Sequence, residues 1–112
     1  MESRIMYIEL KTIPGGHSDR GPARIGRVYF NKTGKTLMYQ GKKFQKSRAA
    51  SCSNYHDIET GDGYWISGPK KNGQDRYSWA SRTPVEIDDD VLEEYWIKVR
   101  NRPDKIKDKT TL

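Results

Sequence analysis

Cys52 and His56 stand four residues apart, the spacing of half a zinc site, and Asp57 adjoins them. A structural zinc takes four ligands, and His17 is the one other soft donor, so the set is incomplete and no metal is expected. The same pair could serve as nucleophile and base, yet no third group to orient the imidazole is evident. No serine sits in a Gly-x-Ser-x-Gly elbow. Thr33-Gly34-Lys35-Thr36 resembles the end of a phosphate-binding loop. The full pattern requires a glycine where this chain has Tyr29, and a following helix whose backbone N–H groups would face phosphate. A β-prone run follows instead, so these residues read as a hairpin turn. No catalytic residue and no cofactor is assigned.

Charge offers a broader signal. Residues 1–56 hold 11 basic and 3 acidic side chains, and residues 57–112 hold 10 and 12. Between Arg20 and His56 there is no acidic residue. A block of one sign on a folded domain sets up a positive field that attracts phosphate or an acidic protein. It is equally the composition of a basic, well-solvated surface. A run of aromatics follows, with Tyr55, Tyr64 and Trp65 on two successive strands and Lys70, Lys71 and Arg76 in the next loop. Such a run could stack bases beside phosphate-binding cations. Packing is the simpler account of Tyr64 and Trp65, because Leu, Ile, Val and Phe make up only about 17% of the chain and aromatics must supply the core. Candidate anion contacts are therefore Arg24, Arg27, Lys35, Lys42, Lys43, Lys70, Lys71 and Arg76, with Tyr64 and Trp65 as candidate stacking groups.

The elements that must position these residues belong to one small domain of 112 residues with a formal charge of +6. No apolar run approaches the ~20 residues of a membrane span, and a single cysteine excludes a disulfide scaffold. The first residues lack a signal-peptide pattern, so a cytoplasmic location is expected. Residues 4–9, 23–30 and 36–40, the last resuming through Phe44, read as strands, as do 54–58, 64–67 and 83–87. The runs at 31–35 and 59–63 read as hairpin turns. Arg24 and Arg27 would face opposite sides of a regular strand, and a bulge at Gly26 could bring them to one face. Val91, Leu92, Tyr95, Trp96 and Val99 share one arc of a helix near residues 90–101, with Ile97 outside it. Asp90 as N-cap would place Glu93 at N3, the spacing of a capping box. Residues 103–112 are expected as a frayed tail after a 1–102 domain.

The chain carries the short motifs Gly21-Pro22-Ala23-Arg24-Ile25-Gly26-Arg27-Val28, Lys32-Thr33-Gly34-Lys35-Thr36-Leu37, Asp57-Ile58-Glu59-Thr60-Gly61, Tyr64-Trp65-Ile66-Ser67-Gly68 and Pro84-Val85-Glu86-Ile87-Asp88, the last leading to Glu94-Tyr95-Trp96. With these the chain resembles a family of small bacterial proteins to which no activity is assigned, over most of residues 4–100. The resemblance implies a bacterial, cytoplasmic setting and carries over no site residue.

The fold expected is mainly β, an antiparallel curled sheet or small SH3-like barrel of five or six strands with one C-terminal helix packed on it. The function expected is a binding module for nucleic acid, RNA or single strands, through the basic half. The alternative is a protein-interaction module that recognises an acidic partner or uses an exposed edge. A small enzyme stands behind both.

Overall fold

A computed structural model describes residues 2–13, 16–17, 22–47, 53–75 and 85–111. The strands are β1 (Glu2–Leu10), β2 (Thr12–Ile13), β3 (Gly16–His17), β4 (Ala23–Phe30), β5 (Thr36–Tyr39), β6 (Lys42–Lys46), β7 (Tyr55–Asp57), β8 (Gly63–Ser67) and β9 (Glu86–Ile87). Strands β1, β8, β7, β6, β5 and β4 pair antiparallel in that order, and β4 pairs back to β1, which closes a six-stranded barrel. β9 lies parallel to β4 outside the ring, and β2 pairs β3 in a separate ribbon. No helix among the described residues is long and apolar enough to cross a membrane.

Alternation divides the apolar residues between two cores. Ile8, Val28, Leu37, Tyr39, Phe44, Tyr55 and Ile66 point inward and fill the barrel, with Met6, Phe30 and Tyr64 packed against them. The opposite faces of β1 and β4 present Tyr7, Ala23 and Ile25 to a second core, built with Val85, Ile87, Val91, Tyr95 and Trp96. The expected helix face is correct: Leu92 and Val99 pack on this core, and Ile97 is exposed.

Local expectations needed correction at several points. There is no bulge at Gly26; β1 and β4 pair residue for residue from Glu2 opposite Phe30 to Glu9 opposite Ala23. Gly26 is needed for space instead, because a Cβ there would collide with the Asp88 carboxylate and the Tyr39 ring. Residues 36–44 are not one interrupted strand but a hairpin, turned at Gln40 and Gly41 with φ of 51° and 76°. Positive φ at both central residues is the two-residue turn that matches strand twist. The helix starts as a 3-10 turn (Asp89–Val91), passes through one α turn (Leu92–Glu94) and ends as a π turn (Tyr95–Val99). Asp88 precedes it, and no side chain caps it, so the capping box at Asp90 does not form.

Residues 103–111 lie against the domain. After a 3-10 turn at Pro103–Lys105 the chain returns along β9, where Thr110 bridges Glu86 and Thr111 donates to the Val85 carbonyl at 3.0 Å. Trp96 Nε1 donates to the Asp108 carbonyl at 2.7 Å. Buried Trp96 has a polar N–H that must find an acceptor, and the tail supplies it.

Candidate nucleic-acid interface

β4 has two different partners on the edge away from β1. β9 pairs with it at Arg24–Ile25 and β5 at Tyr29–Phe30. Between them opens a cleft of about 500 Å³, lined by Arg24, Arg27, Tyr39, Gln40 and Asp88, with Tyr29 and the exposed Asp89 and Asp90 also at its wall. Asp88 organises its floor. Its Oδ1 accepts from Arg24 Nε at 2.5 Å, and its Oδ2 accepts from the Tyr39 hydroxyl at 2.5 Å and from Gln40 Nε2 at 3.3 Å. The hydrogen bond to Asp88 pushes the Arg24 pKa up, against the cost of burial. Burial, then the bond to Asp88, pushes the Tyr39 hydroxyl well above its ordinary value, so it stays a neutral donor. Gln40 compensates its left-handed backbone by this side-chain bond. These four groups satisfy one another.

Arg24 also binds Glu86 at 2.6 Å. Arg27 faces the helix side of β4 and binds Glu94 at 2.8 Å. Both arginines line the cleft, without a bulge at Gly26, and carboxylates from the acidic half of the chain pair with each of them. Sequence proximity hid this, because the partners lie more than 60 residues away.

The lysines of the basic half behave differently. Lys32, Lys35, Lys42, Lys43 and Lys46 are exposed, on the β4–β5 turn and the β5–β6 hairpin. No ion pair among the described residues involves any of them. Met38 opposes Lys43, and Tyr39 opposes Lys42 at the turn. At the other end of the hairpin Lys46 N–H donates to the Lys35 carbonyl at 2.8 Å, which holds these two lysines side by side. The hairpin is thus cationic at both ends and on its outer face.

The other candidates separate from this surface. Tyr64 packs edge-on to Phe44 with ring centroids 4.8 Å apart, inside the barrel, and burial pushes its hydroxyl pKa up while the nearby Lys42 charge pulls it down. Its ring is partly buried and committed to this packing. Trp65 is exposed on the outside of β8 opposite Glu9, and its Nε1 donates to Ser67 Oγ. Lys70 lies in the loop after β8, where its N–H is fixed by Asp75. Lys71 edges a second groove with Arg4 and Lys98, on the helix side. Arg76 and Cys52 lie outside the described residues.

Ser47 Oγ lies 2.7 Å from His56 Nδ1, a contact the sequence reading missed. No carboxylate hydrogen bond to His56 and no pair of oxyanion donors accompanies it among the described residues, so it latches β6 to β7. Those residues also hold no group of three or more His, Cys, Asp or Glu side chains suited to a metal ion. No protein family, curated protein or solved structure matches the chain.

Proposed function

We propose that this protein is a small nucleic-acid-binding barrel that holds the sugar–phosphate backbone of RNA or single-stranded DNA on the β5–β6 hairpin. One observation carries the reading: five exposed lysines lie on 15 consecutive residues, 32–46, without one acidic side chain among them and without an ion pair to any of them among the described residues. Three carboxylates of the acidic half, Glu86, Asp88 and Glu94, are occupied elsewhere, by Arg24 and Arg27 of β4. Separation of this kind leaves the hairpin lysines outside every ion pair among the described residues, which favours polyanion encounter.

Lysine–phosphate contacts release counterions, so affinity should fall with salt at a log–log slope of about −0.7 per contact for single strands. Replacing Lys42 and Lys43 together by alanine is expected to flatten that slope by one to two contacts' worth, whereas replacing Lys70 and Lys71 leaves it unchanged. Anisotropy titrations of a labelled oligonucleotide at several salt concentrations read the slope. Binding that is insensitive to salt, or absent at low salt from folded protein, would overturn the proposal and leave an acidic protein as the partner to seek.

A further inference from the structure

Lysine contacts to phosphate hold single strands and duplexes alike, so selectivity between them needs a group that touches bases. Unbroken alternation along β4 turns Tyr29 outward, where it is 43% exposed. Its neighbour across β5 is Met38, and Lys43 stands opposite Met38 on β6. Ile58, 49% exposed, is held beside Lys43 by its N–H, which donates to the Lys43 carbonyl at 3.0 Å. The outer face of the hairpin thus carries an apolar row, Tyr29, Met38 and Ile58, with a lysine set into it. Strands ~4.8 Å apart place Tyr29 roughly 10 Å from Lys43, backbone to backbone.

The surroundings of Tyr29 are electrically one-sided. Toward the hairpin lie the unpaired lysines. Toward the helix lies the cleft, whose Arg24 and Arg27 are engaged by carboxylates. Exposed Asp89 and Asp90 stand at the cleft, and Asp89 pairs with Lys109 at 3.7 Å. A phosphate is drawn to the Lys43 side and repelled from the Asp89 side. The group that suits the Tyr29 ring, between the two, is flat and uncharged. A nucleobase in an unpaired strand has that form, and a base inside a duplex cannot present its face.

We propose that Tyr29 is a stacking platform for an unpaired nucleobase, which makes the hairpin selective for single strands over duplexes. This rests on the assignment of the hairpin lysines to phosphate contact. Stacking is tolerant of base identity because every base has a π-face, so the preference is for strandedness rather than sequence.

The test compares a short single strand with the duplex of the same sequence against wild type, Tyr29→Ala and Tyr29→Phe, each shown folded by circular dichroism. Tyr29→Ala is expected to weaken single-strand binding about tenfold with an unchanged salt slope. Tyr29→Phe should stay within about twofold of wild type, and duplex affinity should be the same for all three proteins. Wild-type single-strand affinity in Tyr29→Ala, together with a salt slope that still depends on Lys42 and Lys43, would overturn the stacking role and leave the phosphate contacts standing. Failure of the wild type to bind either probe at low salt would overturn both.

Discussion

Asp88 shows how one side chain joins remote segments. It sits at the start of the C-terminal helix, yet its partners come from β4, β5 and the β5–β6 turn. The Tyr39 hydroxyl supplies the buried part of this network, and a hydrogen bond to a charged group contributes about 1.5–3 kcal/mol. Tyr39→Phe is therefore expected to lower stability by that amount at pH 7, measured by urea denaturation. The sign of the pH dependence follows from the raised pKa of Tyr39. A group held neutral by the fold contributes its full stabilisation below its unfolded pKa of ~10 and loses it as pH climbs toward the folded value. The gap between wild type and Tyr39→Phe should accordingly be constant from neutrality to about pH 10 and narrow above it. A gap that widened above pH 10 would contradict the role given to this hydroxyl.

At the scale of elements the C-terminal helix separates what the sequence states from what it conceals. Its buried face is legible, since Val91, Tyr95 and Trp96 recur at helical spacing and each is fully buried. Its start is not legible. Three successive aspartates satisfy a capping rule, but Asp88 gains more from Arg24 and Tyr39 than from a free N–H, so tertiary pairing overrides the local pattern. The β5–β6 turn is concealed for a related reason: Gln40 is a poor left-handed residue by itself, and its bond to Asp88 appears only in the fold. The tail is polar enough to read as frayed, although its backbone bonds to the domain. Asp108 accepts from Trp96, Lys109 from Ile87 and Thr111 from Arg100, while Thr111 N–H donates to Val85. Each such bond contributes ~0.5–1.5 kcal/mol, and Ile106 adds apolar burial. Truncation after Arg102 is expected to cost at least about 3 kcal/mol, seen as a lowered denaturation midpoint; an unchanged midpoint would show that the tail only lies against the domain.

The whole molecule has two designs laid over one another. Barrel closure removes the free edges of six strands, and the tail covers β9 at Thr110, so strand addition to the barrel is a poor route to a partner. Charge supplies the other design. Carboxylates of residues 86–94 turn toward Arg24 and Arg27, while the lysines of residues 32–46 remain exposed on a different part of the barrel wall. The sequence displayed the basic block but not its division, because neutralisation depends on chain segments that meet only after folding. A chemical-shift map of backbone amides, recorded while a short single-stranded RNA is added to the folded protein at low salt, tests this division most directly. The perturbed amides should cluster at Tyr29, Lys35, Met38, Lys42, Lys43 and Lys46 and recede as salt is raised. Perturbation centred instead on the groove of Arg4, Lys71 and Lys98, or none at all, would contradict the assignment of the β5–β6 hairpin as the binding surface.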